Sequence, residues 1–164
     1  MIHYAHIAII SVLFLLFLHI PAFPQYDEVK FEHITIENGL PENSVQCMLQ
    51  DHLGYLWFGT QNGLAKYDGY NMTVYQPNPN DSLSISHQQI TVIYEDKTGT
   101  LWIGTGRDDF GGVNKFDRTT ESFTSYLYNP DDPKSINSNF VTSIYEDKAG
   151  NFWVGPAEGL NLFD

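Results

Sequence analysis

The sequence QITVIYEDKTGTLWIGTGRDDFGGVNKFD, residues 89–117, recurs in related form at two other places in the chain. Residues 44–68 read SVQCMLQDHLGYLWFGTQNGLAKYD, and residues 140–164 read FVTSIYEDKAGNFWVGPAEGLNLFD. All three contain an alternating apolar run, then Asp-x-x-Gly-x-x-Trp-φ-Gly, and then Gly-φ-x-x-aromatic-Asp, where φ is an apolar residue. Internal repetition of this length indicates an architecture built from repeated structural units.

Each unit divides into short predicted strands. Alternating apolar residues predict a first strand, and Asp-x-x-Gly predicts a tight turn because Asp suits its first position and Gly tolerates the left-handed conformation. The first strands are Val45–Gln50, Ile90–Glu95 and Val141–Glu146; the second, which carry the tryptophans, are Leu56–Thr60, Leu101–Thr105 and Phe152–Gly155; the fourth are Met72–Tyr75 and Phe123–Tyr126. The third strands end at the aromatic-Asp pair.

Four short strands per repeat are typical of β-propeller blades. The sequence therefore predicts an all-β fold of four-stranded antiparallel blades. We expect an N-terminal segment at residues 25–43, blades at 44–88 and 89–139, and a partial blade at 140–164. Phe31–Ile36 is predicted to be a lone strand that closes the last blade of a propeller. Because propellers usually have about four to eight blades, we expect the sequence to be a fragment.

Residues 1–24 are predicted to be a signal peptide. The apolar run IAIISVLFLLFLHI, residues 7–20, is shorter than the roughly 20 residues that span a bilayer. An uncleaved membrane anchor and a buried helix remain alternatives. The one cysteine, Cys47, cannot form an internal disulfide. We therefore expect an exported protein without a disulfide framework.

Composition argues against several classes of function. The net charge is −12, and the eight Lys and Arg residues are not clustered, which disfavours nucleic acid and anionic membranes as partners. The histidines His33, His52 and His87 do not have the spacing of metal ligands. No nucleophile motif such as Gly-x-Ser-x-Gly is present. We expect no metal, no cofactor and no catalytic site.

The repeated motif residues are predicted to be structural. Their aspartates are expected to cap turns rather than bind calcium, which needs several converging oxygens. Their tryptophans are expected to lie between blades rather than stack on sugars. This set comprises Asp51, Gly54, Trp57, Gly59, Asp96, Gly99, Trp102, Gly104, Asp147, Gly150, Trp153 and Gly155.

One end of the blades is predicted to bind a ligand. The second unit is six residues longer than the first, and we assign four of these residues to a loop at Gly106–Gly111 and two to Tyr128–Asn139. Both segments would lie at the end opposite the Asp-x-x-Gly turns. Variable loops on a rigid scaffold commonly carry binding residues. The candidates are Arg107, Asp108, Asp109 and Phe110; the alternative is an ordinary solvated loop.

The stretch FEHITIENGLPENSVQCMLQDHLGYLWFGTQNGLAKYDGYNMTVY, residues 31–75, resembles the two-component regulator propeller family. It is most similar to periplasmic sensors of hybrid two-component systems in Bacteroidetes. The resemblance implies an extracytoplasmic propeller coupled through a membrane helix to a histidine kinase, a receiver and a DNA-binding domain. It also implies an oligosaccharide ligand, control of polysaccharide-use genes, contact with further blades, and a homodimeric receptor. Residues 1–164 contain no kinase sequence, so no phosphorylation by this segment is expected.

Two other functions remain open. Asp-x-x-Gly-x-x-Trp is close to the Asp-box of sialidases and to the tryptophan motif of quinoprotein propellers, although the spacing differs. An enzyme acting on glycans or on quinone-dependent substrates is therefore one alternative. A scaffold that uses its blades for protein contacts is the other.

Overall fold

The computed structural model describes residues 29–107 and 109–163, and their fold is all-β, as predicted. Blade 1 contains β1 (Val45–Gln50), β2 (Leu56–Thr60), β3 (Gly63–Tyr67) and β4 (Met72–Tyr75); blade 2 contains β5 (Ile90–Glu95), β6 (Leu101–Arg107), β7 (Phe110–Asp117) and β8 (Ser122–Tyr126); blade 3 contains β9 (Val141–Glu146), β10 (Phe152–Pro156) and β11 (Asn161–Phe163). Within each blade, strands adjacent in sequence pair antiparallel, so the predicted repeat of hairpin-connected sheets is confirmed.

Apolar packing between consecutive blades forms the core. Trp57 and Leu64 of blade 1 are fully buried against Ile90, Leu101 and Phe116 of blade 2. The Trp57 and Phe116 rings meet edge to face with centroids 5.1 Å apart. Such geometry adds roughly 0.5–1.5 kcal/mol to the hydrophobic gain from burial. Each blade therefore depends on its neighbour to cover its apolar face.

The junction between blades 2 and 3 uses the corresponding positions. Trp102 and Val113 of blade 2 pack on Val141, Phe152 and Val154 of blade 3. The centroids of the Trp102 and Phe152 rings lie 4.6 Å apart. The repeated sequence thus produces a repeated interface, in which the tryptophan of one blade meets the first and second strands of the next.

The motif glycines that follow the tryptophans of blades 1 and 2 allow close approach of the next blade. A Cβ at Gly104 would lie 2.5 Å from Cγ1 of Val92 and 2.9 Å from Cγ1 of Val141. A Cβ at Gly59 would lie 2.7 Å from Cγ2 of Ile90. A side chain at either position would therefore require the neighbouring residues to shift.

The connections between blades also repeat, a feature that was not among the sequence predictions. Both contain Asn-Pro-x-Asp-x-x-Ser-Ile, and in both the Ser side chain accepts a hydrogen bond from the Asn main chain: Ser84 from Asn78 and Ser135 from Asn129, each at 2.9 Å. The following isoleucines, Ile85 and Ile136, are buried between blades. Leu40 is also buried, and it precedes β1 by as many residues as Ile85 precedes β5 and Ile136 precedes β9.

The extra residues of blade 2 lie at two different ends, so the predicted placement was wrong. The distance in sequence from Tyr75 to Ile90 equals that from Tyr126 to Val141, so the connection at Tyr128–Asn139 holds no insertion. The two extra residues instead lengthen the hairpin between β7 and β8. The misplacement arose because the strand pairing that aligns the two hairpins is not evident from sequence.

The other four extra residues extend strands rather than a loop. Gly106 pairs with Gly111, and Arg107 pairs with Phe110, so the predicted loop at Gly106–Gly111 is the tip of a longer β6–β7 hairpin. The prediction of a loop was wrong because glycine, usually a turn residue, serves here to bring backbones together. A Cβ at Gly106 would lie 2.7 Å from the Asn139 carbonyl oxygen.

The described residues contain no strand at Phe31–Ile36, and the predicted role of this segment in closing the last blade of a propeller stays a prediction. Residues 29–35 form no regular secondary structure, and a 3₁₀ helix occupies Ile36–Asn38, capped by Thr35. Phe31 is 80% exposed. A strand needs a partner for its backbone hydrogen bonds, and no described strand lies beside this segment.

The described residues belong to two units, residues 29–32 and residues 33–163, and the second unit contains every strand named above. The predicted signal peptide, residues 1–24, lies outside the described residues. Within the described part, no helix has the length and apolar character required to cross a membrane.

Candidate ligand-binding site

The blades have two ends that differ in chemistry. We call the end with the Asp-x-x-Gly turns and the β3–β4 and β7–β8 hairpins the turn end. The opposite end, called the hairpin end, contains the β2–β3, β6–β7 and β10–β11 turns and the connections between blades. Both ends carry acidic residues, whose carboxylates are potential ligand-binding groups.

At the turn end, each motif aspartate binds the tryptophan six residues later. The Trp Nε1 donates to the carboxylate at 2.9 Å in Asp51–Trp57, 2.8 Å in Asp96–Trp102 and 3.2 Å in Asp147–Trp153. The other carboxylate oxygen accepts backbone N–H groups of the turn, as in Leu53 to Asp51 at 3.0 Å. One side chain thus closes the turn and orients the indole toward the next blade.

The glutamates that end β5 and β9 each bind the Asp-x-x-Gly turn of the preceding blade. Glu95 Oε2 accepts from the His52 backbone N–H at 2.9 Å, and its Oε1 lies 2.6 Å from His52 Nδ1. Glu146 Oε2 accepts from the Lys97 N–H at 2.9 Å in the same way. Both glutamates therefore reach back to the preceding blade.

Arg118, in the longer β7–β8 hairpin, binds both a motif aspartate and one of these glutamates at the junction of blades 1 and 2. Its guanidinium donates to Asp51 Oδ2 at 2.6 Å and to Glu95 Oε1 at 2.7 Å. Burial alone would raise the pKa of Asp51, but the hydrogen bonds from Trp57 and Arg118 and the charge of Arg118 outweigh it and lower that pKa. Asp51 is therefore a carboxylate held in an ion pair.

The motif carboxylates of the turn end consequently offer little capacity for a ligand or a metal. They already accept hydrogen bonds from tryptophans and backbone amides, and among the described residues no group of three or more His, Cys, Asp and Glu side chains could hold a metal ion. The roles of Arg118 and Glu95 were not among the sequence predictions. The constant spacing of six residues from Asp to Trp was the available signal for the indole hydrogen bond.

The hairpin end contains the candidate ligand-binding residues. The β6–β7 hairpin places Arg107 and Phe110 opposite each other near its tip, and Phe110 is 70% exposed. Asp109 lies at the tip, while Asp108 lies outside the described residues. The structure thus brings together Arg107, Asp109 and Phe110 at the end of one hairpin.

A polar groove lies beside this hairpin. It has a volume of about 260 Å³ and is lined by Asp109, Tyr128, Asn137, Ser138, Asn139 and Glu158. These residues come from the β6–β7 hairpin, the connection between blades 2 and 3, and the β10–β11 turn. Only Asp109 of this set was a sequence candidate, because the other five are distant from it in sequence.

Two asparagines fix the walls of the groove. Asn139 Nδ2 donates to the Asp109 carbonyl oxygen at 3.0 Å, and Asn139 Oδ1 accepts from the Tyr128 N–H at 2.7 Å. Asn137 donates to the Glu158 carbonyl oxygen and accepts from Asn161 Nδ2 at 2.7 Å. The three segments are therefore joined before any ligand is present.

A larger cavity, of about 760 Å³, is a different kind of surface. Leu160 and Leu162 of blade 3 contribute to its lining. The corresponding positions in blade 1 are Leu64, which packs on blade 2, and Lys66, which contacts Glu121 of blade 2. This cavity is therefore part of a blade-packing face rather than a polar ligand site.

Comparison with known proteins relates the repeats to a family. A profile described as "Two component regulator propeller" matches residues 39–62, 84–107 and 135–157, once per blade. Histidine kinase P4 of Formosa agariphila is 41% identical over 81 residues, which are 49% of this chain and 6% of that protein.

Two solved structures have the same arrangement of blades. The extracellular domain of BT3049, a protein from B. thetaiotaomicron described as a hybrid two component system, is 34% identical with a TM-score of 0.73, covering 81% of this chain and 18% of that one. That of BT4673 from B. thetaiotaomicron is 28% identical with a TM-score of 0.65, covering 83% and 19%. This chain thus spans less than a fifth of these relatives. With three matched repeats and this shared fold, the chain belongs to the two-component regulator propeller family.

Proposed function

We propose that this chain is part of the extracytoplasmic ligand-sensing region of a two-component receptor. The supporting observation is its 34% identity to the extracellular domain of BT3049 over 81% of the chain. In this proposal the protein is exported, the blades lie on the periplasmic side of the inner membrane, and the receptor acts as a homodimer. The signal passes to a histidine kinase that lies outside residues 1–164.

The proposed ligands are glycan fragments, and the proposed response is control of polysaccharide-utilisation genes. The hairpin end supports this assignment because it offers amides, carboxylates and aromatic rings on a fixed framework. Ligand sites are usually concave, with a few placed polar groups. Arg107, Asp108, Asp109 and Phe110 are the proposed contact residues of the hairpin.

Signalling in this proposal uses the junction between blades 2 and 3. The groove is lined by residues from both sides of that junction, so a ligand that contacts both sides favours one relative arrangement of the blades. A ligand shifts a conformational equilibrium only by its difference in affinity for the two states. The proposed role is therefore binding with transmission, without catalysis by this segment.

A thermal shift assay with a panel of oligosaccharides tests the proposal. A sensor should be stabilised by one class of oligosaccharide, because a ligand that binds only the folded state raises its melting temperature. Replacing residues 107–110 together by alanine should reduce that shift, whereas Tyr70→Ala, exposed at the turn end, should not. Release of new saccharide products would instead support an enzyme, and the absence of any shift would favour a protein scaffold.

A further inference from the structure

The groove at the hairpin end contains two carboxylates that have no partner among the described residues. In the described structure, the side chains of Asp109 and Glu158 accept no hydrogen bond and form no ion pair; the hydrogen bonds at these two residues involve their backbone carbonyl oxygens. The motif aspartates of the turn end differ, since each is bonded to its tryptophan. Acceptors that the fold itself does not use are available to an incoming ligand.

The charge in the groove has one sign. Its six described lining residues include two acids and no Lys, Arg or His; Arg107 belongs to the same hairpin but is not among the residues that line the groove. The chain as a whole carries a net charge of −12. An anionic ligand would be repelled by like charges, whereas hydroxyl groups would donate charge-assisted hydrogen bonds to the carboxylates.

The groove also has an aromatic wall. Tyr128 is 45% exposed, and its backbone N–H is held by Asn139, which fixes the position of the residue at the connection. A half-exposed tyrosine provides an apolar surface with a polar tip. The C–H face of a pyranose can pack on such a ring while the sugar hydroxyls reach the acids.

We propose that this groove is a saccharide subsite selective for uncharged sugars over uronates and sulfated sugars, with Asp109 and Glu158 as hydrogen-bond acceptors and Tyr128 as the stacking surface. The inference rests on the proposed sensing function and adds the charge class of the ligand. Selectivity follows from the sign of the charge in the groove rather than from the size of the cavity.

Calorimetric titration of the intact protein tests this assignment. The probes are neutral trisaccharides of glucose, galactose, mannose and xylose, with trigalacturonic acid and a sulfated galactose trisaccharide as anionic counterparts. At least one neutral trisaccharide should bind at least tenfold more tightly than either anionic probe. Tyr128→Ala and the double variant Asp109→Asn/Glu158→Gln should each weaken neutral binding at least tenfold.

The carboxamide variant also tests the role of charge, because it keeps the shape of both side chains. It should narrow the preference for the neutral over the anionic sugar at least tenfold. Asp131→Asn removes one negative charge from the same connection outside the groove and should change neither affinity. Melting temperatures of all variants establish that each is folded.

The outcomes separate this inference from the function on which it rests. If an anionic probe binds as well as the neutral ones, or if neutral binding is unaffected by these variants, the subsite is wrong while saccharide sensing stands. If no saccharide in the panel binds, saccharide sensing itself is overturned and the subsite with it.

Discussion

Replacing Arg118 by alanine should destabilise the protein more than replacing a charged residue at the junction of blades 2 and 3, because Arg118 joins blade 1 to blade 2. The guanidinium donates to Asp51 and Glu95, two acids on different blades. The side chain of Asp51 has no exposed surface, and that of Arg118 is 24% exposed. The substitution would leave a buried carboxylate with the Trp57 indole and backbone amides as its remaining donors.

The magnitude follows from this partial burial. Removing one partner of a fully buried ion pair costs about 3–5 kcal/mol, and exposed pairs contribute about 0–1 kcal/mol. Arg118 lies between these limits, and Asp51 keeps three other hydrogen bonds. We therefore expect Arg118→Ala to reduce the free energy of unfolding by about 2–3 kcal/mol.

Lys97→Ala is the matched control at the junction of blades 2 and 3. Lys97 Nζ lies 3.1 Å from Glu146 Oε1, but its side chain is 56% exposed. Its loss should cost about 0–1 kcal/mol, as for other exposed pairs. Urea denaturation followed by tryptophan fluorescence measures both variants. A cost for Arg118→Ala no greater than that for Lys97→Ala would show that Arg118 does not stabilise the junction of blades 1 and 2.

Three further predictions concern single residues. Hydrogen bonds from Asn151 and Trp153 lower the pKa of Asp147 to about 2, so the stability that this group contributes should be present above about pH 4 and lost toward pH 2. In Asp147→Asn the urea midpoint should therefore depend less on pH over that range; the same pH dependence as in the unmodified protein would contradict this. Burial raises the pKa of the Cys47 thiol to about 11, so a disulfide reagent at pH 8 should react slowly with the folded protein and rapidly in urea; equal rates would show that Cys47 is accessible. Gly104→Ala should destabilise by about 1–3 kcal/mol, because its Cβ would meet Val92 and Val141; an unchanged urea midpoint would show that the strands can move apart.

The blade strands could be predicted because each carries its own local signal. β1, β5 and β9 begin and end at the predicted residues, since alternating apolar residues and a following Asp-x-x-Gly turn define both limits. The lone strand at Phe31–Ile36 could not be decided in this way. Its alternation favours a strand, but strand formation depends on a partner that the segment itself does not encode.

The groove at the hairpin end was only partly predictable. Asp109 was a candidate because of the local composition of its hairpin. Tyr128 and Glu158 join it through long-range packing of blades 2 and 3, and no local pattern relates their positions. The role of Arg118 was missed for the same reason, since its acceptors Asp51 and Glu95 lie on two different blades.

The most direct test of the account is to map the binding site of the trisaccharide that raises the melting temperature most, by NMR chemical-shift perturbation on the intact protein. We expect the largest shifts at the hairpin end, in the amides of Tyr128, residues 137–139 and Glu158. Shifts confined to the turn end, around Asp51, Asp96 and Asp147, would contradict it.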